Sequence, residues 1–232
     1  MVSLPAQNKI TTTPLLFTPI KLRSVIVRNR IIASPMCQYL STDGGPNDWH
    51  MMHLGRLAIG GCGIVFGEET AVEPNGRKTH SCAGIYNAKH VKSYRKLTDM
   101  IKQHGAVPAI QLGHAGRKGS CHGAMEDWRP LTESDAIQGF PPWQIMTPSA
   151  AVSPPRPIPP KEMDQDDINR VIDTFRDATK LSHDAGYDIV EIHGAHGYLI
   201  HQFLSSASNQ RIDSYGGCLE NRMRFAIEVA QA

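Results

Sequence analysis

Four short apolar runs alternate with stretches of helical periodicity along this chain of 232 residues. None of the runs shows a clean apolar–polar alternation, which is typical of parallel strands that are covered on both faces. The strands are therefore predicted at residues 30–34, 63–67, 107–112 and 188–192. Apolar stripes at helical spacing predict helices over 50–59, 91–103, 168–181 and from Leu219 to the end, with Asp164 as the cap of the third. This alternation predicts a parallel α/β architecture with right-handed crossovers.

One connection, between the third strand and the third helix, is much longer than the others. Residues 136–160 hold eight of the sixteen prolines, so this stretch is expected to contain neither a helix nor an inner strand. A loop of this length is typically functional or disordered, and it follows the end of a strand at which α/β folds place their sites. We therefore interpret residues 115–163 as a cover over an active-site mouth, with a simple linker as the alternative, within a single domain spanning 1–232.

Composition excludes several classes of protein. Lys and Arg total 24 against 22 Asp and Glu, a net charge of +2 that does not favour nucleic acid or an anionic membrane as partner. No apolar run approaches the roughly 20 residues that span a bilayer, and the first twelve residues lack the pattern of a secretory signal. Five cysteines without a Cys-x-x-Cys pair fit a reducing compartment, so a cytoplasmic location is expected.

Polar side chains collect where the four predicted strands end. They lie in residues 34–39 (SPMCQY), 68–70 (EET), 111 and 113–117 (Q and GHAGR) and 193–198 (HGAHGY). Because the carboxyl ends of parallel strands meet at one edge of a sheet, these groups are predicted to share one mouth.

His193, His196 and Tyr198 are the most distinctive group at that mouth. Two imidazoles three residues apart could converge on one carbonyl or phenolate oxygen, and a phenol could donate a proton to a developing carbanion. The alternatives are a zinc site that also uses His201, histidines that serve only loop hydrogen bonds, and a core position for Tyr198. A second pair, His50 and His53, falls within a helical pattern, where packing or capping is the better interpretation.

Several stretches carry a resemblance to a known family. They are residues 16–20 (LFTPI), 29–31 (NRI), 34–39 (SPMCQY), 76–77 (GR), 110–118 (IQLGHAGRK), 191–204 (EIHGAHGYLIHQFL), 208–211 (SNQR), 215–217 (YGG) and 220–222 (ENR). On these motifs the chain resembles the N-terminal part of the Old Yellow Enzyme family of flavin-dependent ene-reductases. It looks most like the bacterial branch that has a cysteine near the flavin.

The resemblance implies an incomplete (β/α)8 barrel of the TIM type, with about the first four strand–helix units, and noncovalent FMN at its C-terminal mouth. NADPH or NADH would reduce the flavin, which would pass hydride to the activated C=C bond of an α,β-unsaturated carbonyl compound, a small enone or enal. The residues that would line the flavin are Ser34, Pro35, Met36, Cys37, Glu69, Gln111 and His193.

The resemblance also implies roles for single side chains. His193 and His196 would hold the substrate carbonyl oxygen, Tyr39 would flank the substrate, and Tyr198 would protonate its α-carbon. The Cys37 thiol would tune the redox behaviour of the flavin. Glu69 departs from the family pattern, which has a small residue there, although a backbone contact to the flavin would survive. No metal is expected.

By this interpretation the chain holds half a barrel, since only four strands precede its last helix. In the family, a fifth-strand arginine and the ends of strands seven and eight complete the flavin site, so the isolated chain is expected to bind FMN weakly or not at all. The fourth strand would be an open edge that favours association, with a homo-oligomer as one outcome. The alternative function is a catalytically inactive fragment that acts through self-association or a partner chain, and a zinc hydrolase ranks third.

Overall fold

The structure is a computed structural model that describes residues 13–232. The first twelve residues, in which no secretory signal is expected, lie outside the described residues. In chain order the strands are β1 (Ile20–Leu22), β2 (Val25–Val27), β3 (Ile32–Ala33), β4 (Ile64–Ala71), β5 (Val107–Gly113), β6 (Met146–Thr147), β7 (Lys161–Glu162) and β8 (Ile189–Ile192). The helices are α1 (Asp48–Ile59), α2 (Ala88–Gln103), α3 (Glu133–Ala136), α4 (Gln165–Asp184), α5 (Leu199–Leu204) and α6 (Leu219–Gln231).

The four predicted strands form one parallel sheet in the order β3-β4-β5-β8. Strands that are neighbours in the sheet also follow one another in the predicted strand–helix order. Helices α1, α2 and α4 lie in the connections between them, and α6 follows the last strand. All eight residues of β4 are buried, which explains its uninterrupted apolar start. This is the arrangement of four consecutive units of a (β/α)8 barrel, and it confirms the predicted fold class.

An antiparallel hairpin of β1 and β2, which was not predicted from the sequence, closes one end of the sheet. Val27 of the hairpin is fully buried and packs with Ile64, Phe66, Val107 and Ala109, which lie at the amino-terminal halves of β4 and β5. Because apolar side chains seal this end, the opposite, carboxyl-terminal end of the strands is the open mouth.

Side-chain caps set the starts of the long helices. Asn47 and Asn87 accept hydrogen bonds from the backbone at the starts of α1 and α2. Asp164 accepts from the Asp167 backbone N–H at 2.9 Å, so its predicted role as a cap is confirmed. Helices α1, α2 and α4 begin two or three residues before the predicted starts at 50, 91 and 168, because their first turns are polar.

Two connections contain structure that the sequence analysis did not predict. The segment after β8, expected as a loop, contains α5, whose Leu199, Ile200 and Phe203 are buried; six residues are too few for a periodicity to stand out. The long proline-rich connection contains α3 and the two-residue strands β6 and β7, which pair with each other away from the central sheet. The prolines thus exclude an inner strand, as expected, but not a short peripheral one.

All five cysteines are free thiols. Within residues 13–232, no helix combines the length and the apolar character that crossing a membrane requires.

Candidate active site

The side chains of His193, His196 and Tyr198 converge just beyond the end of β8. The ring centroid of His193 lies 5.0 Å from that of His196 and 5.0 Å from that of Tyr198, and the other two centroids are 6.4 Å apart. The rings meet nearly edge to face, with interplanar angles of 82° to 85°. His196 has a φ of 56°, a left-handed backbone that turns the loop back over the strand end.

Hydrogen bonds fix how the two imidazoles share their protons. Nδ1 of His193 accepts from the Ala195 backbone N–H at 3.1 Å, and burial lowers the pKa of His193, so its ring is neutral near pH 7. The remaining proton is therefore on Nε2, which lies 3.1 Å from Nδ1 of His196 and donates to it. A neutral His196 then carries its own proton on Nε2, and this N–H is left to meet an incoming oxygen.

Tyr198 is half-buried between two ammonium groups. The Lys78 Nζ lies 5.1 Å and the Lys118 Nζ 5.4 Å from the centroid of its ring. Burial raises the pKa of the Tyr198 hydroxyl, with Lys78 opposing the shift. The hydroxyl is therefore protonated at neutral pH and can act as a proton donor.

Lys78, which was not among the predicted site residues, forms the centre of the site. Lys78 is 3% exposed, and its Nζ pairs with the carboxylate of Glu69 and lies 3.4 Å from Sγ of Cys37. Burial has the largest single effect and lowers the pKa of Lys78, but the Glu69 carboxylate, together with the nearby thiol and phenol groups of Cys37, Cys82 and Tyr39, raises that pKa well above its ordinary value. A signal existed: Glu69 is a carboxylate at the end of a fully buried strand, and such a charge requires a partner.

Cys37 and Tyr39 lie on the segment that follows β3. Burial raises the pKa of the Cys37 thiol to about 11, although the neighbouring Lys78 acts in the opposite direction. The group is therefore a neutral thiol at physiological pH and not an activated thiolate. Tyr39 has a φ of 54°, and its ring meets that of Trp128 edge to face at 5.1 Å.

Other polar residues near the strand ends make hydrogen bonds within the scaffold. His50 caps α1 through Asn47 and contacts Glu68 at 3.0 Å, so capping, and not ligand binding, is confirmed for this histidine. His114 is 2% exposed and contacts Glu73 at 2.8 Å. His201 accepts from the Gly197 N–H at 2.8 Å. Among residues 13–232, no three His, Cys, Asp or Glu side chains are grouped to hold a metal.

A cavity of about 380 Å³ opens above Tyr198. Its lining contains three aromatic side chains, Tyr39, Trp128 and Tyr198, and three cationic ones, Lys78, Lys118 and Arg156. Lys118, Trp128 and Arg156 belong to the long connection between β5 and α4, so this segment contributes directly to the mouth. Its function as a cover remains a prediction.

The residues expected to hold FMN suit the imide edge of a flavin ring. Gln111 is half-buried near the end of β5 and presents an amide, with one donor and one acceptor, at the mouth; its Nε2 donates to Glu191 at 2.5 Å. Ser34 and Met36 are exposed along the segment after β3, which leaves backbone open beside Cys37. The Glu69 carboxylate is neutralised by Lys78, so this departure from the family pattern adds no net negative charge beside the expected ring. The donor set therefore fits the expected group.

Comparisons with known proteins identify the family of the chain. The sequence profile described as the NADH:flavin oxidoreductase / NADH oxidase family matches residues 15–232. An NADPH dehydrogenase of Geobacillus sp. (strain WCH70) is 40% identical over 220 residues, which are 94% of this chain and 59% of that relative. The chain thus spans about three-fifths of the length of the curated relatives it matches.

Solved structures of similar fold include a morphinone reductase and an Old Yellow Enzyme. Morphinone reductase superimposes with a TM-score of 0.78 at 28% identity, over 95% of this chain and 58% of its own. An Old Yellow Enzyme from Pichia sp. AKU4542 gives the same TM-score at 25% identity, over 94% of this chain and 55% of its own.

These matches imply FMN and NAD(P)H as the cofactors. With the profile covering nearly all of the described residues, the chain belongs to the NADH:flavin oxidoreductase / NADH oxidase family and corresponds to the N-terminal portion of an Old Yellow Enzyme-type barrel.

Proposed function

We propose that this chain supplies the substrate-facing part of an FMN-dependent ene-reductase, which reduces the activated C=C bond of α,β-unsaturated carbonyl compounds with NADPH or NADH. The observation that carries the proposal is the convergence of two imidazoles and a protonated phenol at the open end of the strands, beside Tyr39. An enone needs a hydrogen-bond donor at its carbonyl oxygen and a proton source near its α-carbon, and this cluster contains both.

His196 is the proposed donor to the carbonyl oxygen. As electron density moves from the alkene toward that oxygen, a fixed N–H stabilises the developing negative charge; losing one such donor costs roughly 10²–10³ in rate in other enzymes. His193 donates to Nδ1 of His196 and so holds its ring in the tautomer with the proton on Nε2. We therefore assign His193 to positioning and polarising His196. In this geometry only His196 donates to the carbonyl oxygen, and His193 acts through it.

Tyr198 is the proposed source of the proton. When bound, FMN would supply the hydride for the substrate β-carbon, and a nicotinamide cofactor would be the source of its electrons. Tyr198 donates its phenolic proton to the α-carbon and takes a proton back from solvent, so the alkene gains one hydride and one proton in total. Burial raises the pKa of this phenol, so the hydroxyl is protonated at neutral pH when the substrate binds.

The remaining predicted residues are assigned to binding. Gln111 would bind the imide edge of the flavin, and the segment Ser34, Pro35, Met36 and Cys37 would lie along its ring, with Cys37 present as a neutral thiol. Glu69 contributes backbone there, while its carboxylate is engaged by Lys78. Tyr39, which lines the same cavity as Tyr198, would flank the substrate.

The test is anaerobic reduction of 2-cyclohexenone by the chain with NADPH and excess FMN, followed by gas chromatography. We expect saturated ketone above the protein-free rate, and a loss of about 10²-fold or more in Tyr198→Phe and in His196→Ala. Tyr86→Phe, a half-buried tyrosine outside the mouth, is the matched control and should keep full activity. Equal rates for the control and for both site variants would contradict the assigned roles.

A second candidate is a noncatalytic chain that associates through its open edge. Val190 and Ile192 of the edge strand β8 are 36% and 38% exposed, an apolar surface that favours pairing. A colourless preparation that self-associates in sedimentation velocity, and whose association is removed by Val190→Lys, would favour this candidate. A yellow preparation that NADPH bleaches would favour the ene-reductase.

A further inference from the structure

The cavity above Tyr198 has an unusual balance of charge. Three cationic side chains line it, and no carboxylate does so among the residues that the structure describes. Lys78 is neutralised by Glu69 beneath the cavity floor, which leaves Lys118 and Arg156 as two charges without an acidic partner in that part of the chain.

Backbone carbonyls hold these two cations in place. The Lys118 Nζ donates to the carbonyl oxygen of His196 at 2.6 Å, so two of its three protons are left for a ligand. The Arg156 guanidinium donates to the carbonyl oxygens of Arg117 at 2.7 Å and Gly119 at 3.2 Å, and to Sγ of Cys121 at 3.1 Å. Three of its five donors are thereby used, and its orientation is set before any ligand arrives.

Aromatic rings provide the rest of the wall. Tyr39 and Trp128 meet edge to face at 5.1 Å and line the same cavity as Tyr198. A cavity of about 380 Å³ is within the usual range for small-molecule sites, and its mixed lining suits a flat unsaturated body that carries a charged group. Fixed positive charge in a partly enclosed cavity concentrates anions of matching shape.

We propose that Lys118 and Arg156 form an anion-recognition subsite, so that the enzyme prefers reaction partners that carry a carboxylate or phosphate on the same flat body as the reacting group. This inference rests on the proposed function, because it places the anion relative to the enone held at His196 and Tyr198. The anion belongs either to the unsaturated substrate or to the nicotinamide reductant. Arg156 is the specificity-determining residue, since a guanidinium can bind a carboxylate or phosphate through two parallel hydrogen bonds.

The experiment measures binding by isothermal titration calorimetry on the full chain with excess FMN. The probes are 4-[(E)-3-oxobut-1-enyl]benzoate, its methyl ester, and the saturated keto acid of the same skeleton. We expect the wild-type chain to bind both acids at least tenfold more tightly than the ester, and this preference to shrink as salt is raised. Arg156→Gln should abolish the preference, and Arg156→Lys should retain part of it.

Two further variants address folding and location. Lys118→Gln changes an exposed side chain and leaves the hydrogen-bond partners of Arg156 in place. It should therefore weaken the preference for the acids even if Arg156→Gln disturbs its own loop. Arg176→Gln, which removes an arginine paired with Asp173 on the outer helix α4, is the matched control and should leave the preference intact.

A second arm of the experiment compares the binding affinities of NADPH and NADH, which differ by one phosphate. A preference for NADPH that Arg156→Gln removes, with acids and ester bound equally, would assign the anion to the reductant and still support the subsite. No Arg156-dependent preference in either arm would overturn it. The saturated keto acid separates the two proposals, because its Arg156-dependent binding would uphold the subsite even in a chain that reduces no alkene.

Discussion

Removing either member of the Glu69–Lys78 pair should destabilise the protein far more than removing both. Lys78 is 3% and Glu69 is 5% exposed, so each single substitution leaves one uncompensated charge inside the fold. Breaking such a pair costs about 3–5 kcal/mol, whereas replacing both members by apolar groups is often neutral. We therefore expect Glu69→Ala and Lys78→Met each to lose about 3–5 kcal/mol, and the double variant to lose about 1 kcal/mol or less.

Urea denaturation followed by circular dichroism gives the three free energies. On the thermal scale, roughly 2–4 °C per kcal/mol for a chain of this size, the single variants should melt roughly 6–20 °C below the wild type. In Glu69→Ala, the unpaired buried ammonium has its pKa lowered, so the unfolded state binds more protons and stability should rise with pH. The loss should therefore shrink between pH 7 and 10.

Two results would refute this reasoning. Single variants that lose less than about 1 kcal/mol would show that the pair is not effectively buried, and a double variant whose loss equals the sum of the single losses would show that the two charges do not depend on each other.

Three smaller predictions concern the scaffold and the thiol. A Cβ at Gly113 would overlap the Glu69 carboxylate, so Gly113→Ala should cost about 1–3 kcal/mol, and Glu69→Ala should relieve that cost in a double-mutant cycle; additive losses would contradict the contact. Asp164→Ala should remove the cap of α4 and cost about 1 kcal/mol in urea denaturation, while an unchanged midpoint would show that the cap is dispensable. At pH 8, iodoacetamide should alkylate Cys37 about a hundredfold more slowly than a thiol of pKa 9.0, and the alkylation rate should rise toward pH 11. Peptide mass spectrometry in a Cys218→Ser background measures this rate, and a rate that levels off near pH 9 would contradict the raised pKa of Cys37.

Strand and helix order could be predicted because each unit has its own periodicity. The continuous apolar runs correspond to strands covered on both sides, and the stripe from Ile168 through Phe175 packs into the core. The β1–β2 hairpin and α5 were missed because three- and six-residue elements are stabilised mainly by contacts distant in sequence, such as those of Val27. The helix starts were placed late because capping turns carry no apolar signal.

The candidate site was only partly predictable for a similar reason. His193, His196 and Tyr198 lie within six residues, so their convergence follows from a single turn of chain. Lys78 approaches Glu69 from a separate loop, and no local pattern reveals that contact. The direction of the hydrogen bond between the two imidazoles depends on the position of the Ala195 N–H, and the sequence does not give that position.

The most direct test of the ene-reductase proposal is a crystal structure of the chain soaked with millimolar FMN and 2-cyclohexenone. We expect the ketone oxygen within hydrogen-bond distance of His196 Nε2, the Tyr198 hydroxyl facing the alkene, and the flavin imide against Gln111. A structure in which the two imidazoles and the phenol diverge, or in which the ketone binds elsewhere, would contradict the proposal.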